Sequence, residues 1–192
     1  MSKRFGFVID QERCIGCDAC TVACRIEHNA DVGFIIVDTT DSALKDVPSG
    51  NFPNLRISWI PKLCNHCENP PCLKACPVNA IYKREDGIVI IDDDLCDGCR
   101  TCVDACPYGV IYFNEKESLA EKCNLCAHRI DQGLEPFCVI CCEGQAIYFG
   151  DFNDSNSKVS RIISEKEVFR LKEDLGTNPI IYYVPPMEKR EL

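Results

Sequence analysis

The chain has 192 residues, of which 46% are hydrophobic and 27% are charged, and this composition is typical of a globular protein with one substantial domain or two small ones. Its formal net charge of −9 argues against non-specific binding to nucleic acid, because such binding requires a basic surface. No apolar run approaches the roughly 20 residues that cross a bilayer, so we expect no direct membrane insertion.

Cysteine is the unusual residue of this sequence, with 17 copies among 192 residues. Such a density is typical either of small secreted domains with several disulfides or of chains that ligate metal. Residues 1–10 lack the apolar segment of an export signal, which disfavours the secreted class. We therefore interpret the cysteines as metal ligands and expect a cytoplasmic protein.

The first predicted elements are a short β-strand at Val8-Ile9-Asp10 and a cysteine quartet at residues 14–24. The spacing of this quartet, C-x2-C-x2-C-x3-C, is that of bacterial ferredoxins. In such a motif three thiolates bind one [4Fe–4S] cluster, and the fourth, which we expect at the start of a following helix, binds the other cluster of a pair. Arg25 stands where a proline often follows the motif, so we expect a helix to continue past Cys24.

The next segment is an insert at residues 25–62, in which the alternation of Leu55–Ile60 predicts a strand. Such an insert either faces a partner or covers the metal sites. The second quartet, at residues 64–76, keeps the first C-x2-C pair and the final C-x3-C-P but widens the middle gap to four residues. Residues 80–91 then read as a hairpin that turns at Asp86-Gly87.

The third quartet, at residues 96–106, repeats the spacing of the first, and the strand-like Ile90-Ile91-Asp92 precedes it as Val8-Ile9-Asp10 precedes quartet one. The fourth quartet is less regular. By itself it would also fit a zinc site. It must be drawn from five cysteines, which are Cys123, Cys126, Cys138, Cys141 and Cys142.

An internal repeat selects among these five cysteines. The last cysteine of a quartet is followed by a segment ending in Ile-Tyr at Cys76–Tyr82, at Cys106–Tyr112 and at Cys142–Tyr148. This alignment selects Cys142 as the fourth ligand. Cys141 is then a surplus thiol, for which we expect the role of a small core residue.

The tail begins with a polar segment, Asp151–Lys158, which predicts a loop. The following segment, Ser164–Leu175, starts with a capping box and is followed by Gly176, so we expect a helix there. Of the three histidines, His66 and His128 lie in ligand loops, where a donor to sulfur could tune a reduction potential. For His28 we expect a surface or packing role.

At this point the sequence resembles a known family. The four quartets, Cys64–Cys72, the Cys126-Ala-His-Arg129 stretch and Leu175–Tyr183 are similar to the four-cluster iron–sulfur (beta) subunits of molybdenum or tungsten pterin oxidoreductases. Polysulfide reductase, dimethyl sulfoxide reductase and formate dehydrogenase complexes carry such subunits, and similar ones accompany tungsten aldehyde oxidoreductase and benzoyl-CoA reductase type enzymes. The resemblance covers nearly the whole chain.

The resemblance implies an α+β fold of two pseudo-symmetric ferredoxin-like halves, each with two [4Fe–4S] clusters. The first half would comprise residues 1–62 and 115–150, the second residues 63–114, and residues 151–192 would form a C-terminal extension. The implied ligands of the four clusters are Cys14, Cys17, Cys20 and Cys142; Cys24, Cys123, Cys126 and Cys138; Cys64, Cys67, Cys72 and Cys106; and Cys76, Cys96, Cys99 and Cys102.

The expected function is electron transfer. A cluster with four cysteine ligands has no open position for substrate, and no catalytic triad, phosphate loop or dinucleotide motif is present, so the chain is not expected to be an enzyme alone. The implied partners are a large molybdenum or tungsten pterin catalytic subunit and a further redox protein, which would be a flavoprotein, a membrane anchor or a ferredoxin. A free polyferredoxin and a structural zinc module are the alternatives. The alternative compartment is the periplasm, which the chain would reach if it were exported together with a catalytic subunit that carries the signal.

Overall fold

The computed structural model describes residues 2–40 and 44–186. In chain order the elements are β1 (Phe5–Asp10), α1 (Ala19–His28), β2 (Ile35–Thr39), β3 (Trp59–Leu63), α2 (Pro71–Ala75), β4 (Ile81–Lys83), β5 (Val89–Ile91), α3 (Thr101–Ala105), β6 (Tyr112–Asn114), β7 (Leu119–Glu121), α4 (Ala127–Ile130), α5 (Phe137–Ile140), β8 (Ile147–Asp151), α6 (Lys158–Glu165), a 3₁₀ turn (Glu173–Leu175) and β9 (Ile181–Val184).

A three-stranded sheet joins the two ends of the chain. Its order is β8-β1-β9, with β1 antiparallel to β8 and parallel to β9. Because successive strand residues point to opposite faces, Phe7 and Ile9 of β1 pack on the side of the cysteines, whereas Val8 packs against Val159 of α6. Both faces of β1 are therefore buried, as the apolar run of this strand indicates.

Three antiparallel hairpins complete the strands: β2 with β3, β4 with β5, and β6 with β7. The predicted hairpin at residues 80–91 is confirmed, with Ile81 opposite Ile91 and a turn in which the Gly87 N–H donates to the Arg84 carbonyl at 3.0 Å. The predicted strand at Leu55–Ile60 is wrong in its bounds. Only Trp59–Leu63 lies opposite β2, while Leu55 remains 42% exposed.

The helices are short, and they position the cysteines. The continuation of a helix past Cys24 is confirmed, since α1 runs on to His28. The expected place of the fourth cysteine at the start of a helix is wrong: Cys76 and Cys106 directly follow the last residues of α2 and α3. The backbone there leaves the helix for an extended conformation, with φ −73° and ψ 113° at Cys76, which directs the chain away from its own ligand loop.

The predicted helix at Ser164–Leu175 is also wrong. The helix lies earlier, at Lys158–Glu165, because the hydroxyl of Ser157 accepts from the Ser160 N–H at 3.2 Å and caps it. Beyond it the chain turns extended, and Phe169 exchanges two backbone hydrogen bonds with Tyr183, of 2.9 and 2.8 Å. Gly176 does end a helical turn, but only the short 3₁₀ turn.

The tail is integrated into the fold. Strand β9 extends the sheet beside β1, and the fully buried Tyr183 donates its hydroxyl to the Pro61 carbonyl at 2.9 Å. Together these elements form a mixed α and β structure in which the sheet and the three hairpins surround the cysteines. No helix in residues 2–40 and 44–186 has the length and apolarity needed to span a bilayer.

Candidate metal centres: four cysteine-lined cavities

Sixteen of the seventeen cysteines line four cavities, four to each cavity. The cavities enclose about 280 to about 330 Å³ of empty space each, counting the part open to solvent. We name them by their cysteines: cavity I (Cys14, Cys17, Cys20, Cys142), cavity II (Cys24, Cys123, Cys126, Cys138), cavity III (Cys64, Cys67, Cys72, Cys106) and cavity IV (Cys76, Cys96, Cys99, Cys102).

The structure thus assembles the four sets of residues that the family resemblance implies as ligand sets. Each set takes three cysteines from one ligand loop and the fourth from another part of the chain. Helix α1 supplies Cys20 to cavity I and Cys24 to cavity II, so one helix links two cavities. Helices α2 and α3, with the cysteines that follow them, exchange fourth residues between cavities III and IV in the same way.

The ligand loops curl because some of their residues have left-handed backbone conformations. In cavities I and IV the second residue after the first cysteine is a glycine, Gly16 with φ 69° and Gly98 with φ 71°. Glycine takes this conformation without the steric cost that a Cβ brings. Such a loop aims three thiols at a single space.

Backbone N–H groups donate to the sulfurs of the fourth cysteines. The Ala80 N–H lies 3.2 Å from Cys76 Sγ, and the Ala146 N–H lies 3.2 Å from Cys142 Sγ. Both alanines stand four residues after the cysteine, as the repeat predicts for equivalent positions. For Cys24 the donor is the N–H of Phe34, at 3.3 Å. Donors in these places favour sulfur that carries negative charge.

Burial makes these thiols poor acids when no metal is bound. Burial, together with the charge of neighbouring cysteines, raises the pKa of Cys20 and of Cys72 to about 12. A bound cation reverses this effect, because a coordinating thiol is deprotonated. Four inward-facing thiols in each space therefore suit a multinuclear iron–sulfur group. Within the described ranges no three His, Cys, Asp or Glu side chains converge closely enough to hold a single metal ion.

The cavities lie in a row, I–II–III–IV. Burial raises the pKa of Cys138 in cavity II well above its ordinary value, and Cys20 of cavity I is among the sulfurs that add to this effect. Burial likewise raises the pKa of Cys123 in cavity II, with contributions from Cys24 and from Cys64 of cavity III. Cavities III and IV share one buried apolar cluster that contains Cys72 and Cys102.

Exposure of the cysteines differs between the ends and the middle of the row. Cys17 of cavity I and Cys99 of cavity IV are exposed. All four cysteines of cavity II are buried, and in cavity III only Cys106 is partly exposed. Cavities I and IV are therefore the ones with an exposed cysteine.

Cys141 lines none of the four cavities. Its Sγ lies 3.5 Å from the Ala19 carbonyl oxygen and 3.6 Å from that of Cys138. It is partly exposed, so the expected role of a core residue is wrong, although it remains the surplus thiol.

The three histidines have different surroundings. His66 is fully buried, its Nδ1 accepts from the Val89 N–H at 3.0 Å, and its Nε2 has no partner among the described residues. An orphan donor of this kind fits a bound group with sulfur acceptors, in keeping with the role predicted for His66. His128 contacts Glu27 at 2.7 Å rather than a sulfur.

Sequence reasoning missed the environment of His28. Its ring packs 5.5 Å from that of Phe34, as a packing role requires, but its Nε2 also lies 3.4 Å from Cys126 Sγ. Burial lowers the pKa of His28. Residues 28 and 126 are far apart in sequence, and no local pattern signals their contact.

Comparison with known proteins agrees with this geometry. A model described as a 4Fe-4S dicluster domain matches residues 55–152, and one described as a 4Fe-4S binding domain matches residues 7–27. The chain accordingly is a [4Fe–4S] protein, and its seventeen cysteines fit four such clusters.

Several curated proteins are similar over almost the whole chain. The B subunit of tetrathionate reductase from Salmonella typhimurium is 39% identical over 94% of this chain and 72% of its own length. The corresponding subunit of polysulfide reductase from Wolinella succinogenes is 39% identical over 96% of both proteins. The arsenate respiratory reductase iron–sulfur subunit of a Shewanella species is 34% identical over 94% of this chain and 96% of its own. The chain therefore belongs to the family of iron–sulfur electron-transfer subunits of reductase complexes, which are not catalytic by themselves.

Proposed function

We propose that this chain relays single electrons along the row of cavities I–II–III–IV, between a molybdenum or tungsten pterin catalytic subunit and a second redox partner. The observation that carries the proposal is the distribution of exposure along the row. Exposed cysteines occur in the two end cavities, whereas seven of the eight cysteines of the middle cavities are buried and the eighth, Cys106, is partly exposed. A relay needs such an arrangement, because electrons must enter and leave at the protein surface and must not pass to solvent species from the middle clusters.

The proposed iron ligands are the sixteen cysteines that line the cavities, in the four sets that define cavities I to IV. The clusters supply one-electron redox chemistry, with potentials set by local charge, hydrogen bonds and exposure. The chain itself holds the thiolates, supplies N–H donors to them and buries seven of the eight cysteines of the two middle sites. With four protein ligands for each cluster, no position is left for substrate.

We further propose two ferredoxin-like halves. Residues 1–62 and 115–150 would hold cavities I and II, and residues 63–114 cavities III and IV. The exchange of fourth cysteines within each pair of cavities supports this division. Residues 151–192 would then stabilise the first half, since β9 lies beside β1 and α6 packs against β8.

We propose these partners because the similar proteins are themselves components or iron–sulfur subunits of reductases. One end of the row would meet the pterin subunit, and the other a flavoprotein, a membrane anchor or a ferredoxin. We propose the cytoplasm as the compartment, and co-export with a signal-bearing partner to the periplasm as the alternative.

Anaerobic affinity isolation of the chain from its native cells tests this function. We expect a larger subunit to co-purify with molybdenum or tungsten and an organic pterin. The chain should carry about sixteen iron and sixteen acid-labile sulfide, as four [4Fe–4S] clusters require. A brown protein isolated without any larger subunit would support a free polyferredoxin instead. About twelve iron with one zinc would mean that the fourth quartet had been misassigned.

A further inference from the structure

Lys122 is a buried lysine that is not among the proposed cluster ligands. It is 5% exposed and directly precedes Cys123 of cavity II. Its Nζ donates to the carbonyl oxygen of Cys123 at 3.1 Å and to that of Val89. Throughout the part of the chain that the structure describes, no carboxylate forms an ion pair with it, whereas Lys83 pairs with Glu68 at 2.5 Å.

The ammonium of Lys122 lies where the two middle cavities meet. On one side it contacts the backbone of Cys123, and on the other that of Val89, which lines cavity III. Cys64 and Cys123 are themselves neighbours across this boundary.

His66 holds the acceptor of Lys122 in place. Its Nδ1 accepts from the N–H of Val89, the residue whose carbonyl accepts from Lys122. A ring nitrogen that accepts carries no proton, so His66 is the neutral tautomer protonated at Nε2. His66 therefore carries no positive charge at this boundary, and its backbone contact fixes the position of Val89.

A buried ammonium is costly unless negative charge compensates it. Two backbone carbonyls satisfy hydrogen bonds but supply no net charge. Four thiolates outweigh the positive charge of an oxidised [4Fe–4S] core, so a loaded cavity is anionic and becomes more so on reduction. Cavities II and III are the anionic sites nearest to Lys122.

We propose that Lys122 is the internal cation of the relay, and that its charge raises the reduction potentials of the clusters in cavities II and III relative to those in cavities I and IV. The proposal rests on the proposed cysteine ligation. Its consequence is that the middle of the row accepts electrons more readily than it would without this residue.

The test is redox titration of the isolated holoprotein, followed by electron paramagnetic resonance, for the variant Lys122→Met. This change keeps a long side chain and removes the charge. We expect two of the four midpoint potentials to fall, with much smaller changes in the other two and with about sixteen iron retained. If Lys122→Met takes up less iron, Lys122→Gln serves in its place, because its amide still donates to a carbonyl.

Two further variants are matched controls. Lys122→Arg keeps the charge and should keep all four potentials near those of the unmodified protein. Lys83→Met removes a lysine that also contacts a ligand loop, at 3.3 Å from the Cys67 carbonyl, but whose side chain is 20% exposed, so solvent screens its charge and the potentials should shift less than in Lys122→Met. Unchanged potentials in Lys122→Met or Lys122→Gln at full iron content, or an equal shift of all four, would overturn the proposal. Failure of the ligand assignment would appear separately, as a low iron content in the unmodified protein.

Discussion

Adjacent residues can have different roles in this protein, and Cys141 and Cys142 are the clearest case. Cys142 lines cavity I and accepts from the Ala146 N–H, whereas the sulfur of Cys141 lies near the carbonyl oxygens of Ala19 and Cys138. The repeat that ends in Ile-Tyr distinguishes the two from sequence alone, because it aligns Cys142 with Cys76 and Cys106.

Serine substitutions test this distinction. Cys142→Ser should cost the cluster of cavity I and lower the iron content from about sixteen toward about twelve per chain, because serine is a much poorer ligand for iron. Cys141→Ser should leave the iron content unchanged. Iron and acid-labile sulfide assays on both variants decide the matter, and the reverse pattern would invalidate the alignment of the fourth quartet.

Residue spacing predicts which cysteines line the cavities, but it does not predict which side chains pack around those cysteines. The sixteen cavity-lining cysteines could be selected from the sequence because each loop is a local motif whose geometry depends on a few residues. The contact of His28 with Cys126 and the position of Lys122 between two cavities arise only when distant segments pack together. A single sequence does not contain a signal for such contacts.

At the scale of elements, the left-handed residue that follows the first cysteine of a ligand loop is a glycine in cavities I and IV, whereas His66 and Leu125 take this conformation in cavities III and II. Gly98 has φ 71°, and a Cβ on it would overlap the Ser118 carbonyl oxygen, a backbone atom that cannot move aside alone. Gly133 has φ 76°, but nothing lies within 4 Å of a Cβ built there. A comparison of Gly98 with Gly133 therefore separates the cost of the left-handed backbone from the cost of steric crowding in the ligand loop.

Alanine substitutions at these two glycines test the loop geometry. Gly133→Ala should cost about 1–2 kcal/mol of stability from the positive φ alone and keep all its iron. Gly98→Ala should cost more and should also lose the cluster of cavity IV, so that iron falls toward about twelve per chain. Iron assay and thermal unfolding of both proteins provide the comparison. Full iron content in Gly98→Ala would contradict the packing described for this loop.

Elements near the cysteines were predictable, and those in the tail were less so. The hairpin at residues 80–91 follows from a turn between two apolar segments, which is local information. The tail has a predicted helix start at Ser164 and an observed one at Ser157. The earlier one forms because Val159 packs on the sheet, while the backbone of Phe169 pairs with Tyr183. Tertiary contacts thus overrode the capping pattern at Ser164.

At the scale of the whole molecule, we propose that electrons pass along the complete row of four clusters. Cavity III is an inner site of that row, and its proposed ligand Cys72 is buried. Removing this cluster should interrupt the relay without touching either end. An independent ferredoxin that used only its exposed clusters would tolerate the same loss.

The most direct test is the variant Cys72→Ser in the isolated complex, with Cys141→Ser as the control that keeps all sixteen cavity-lining cysteines. Electron paramagnetic resonance should detect the clusters of cavities I and II but not the full set from cavities III and IV. Turnover with the natural electron partner should fall to background, while turnover with an artificial dye that reaches the catalytic subunit directly should persist. A Cys72→Ser complex that lacks the cavity III cluster yet keeps full activity with its natural partner would contradict the relay.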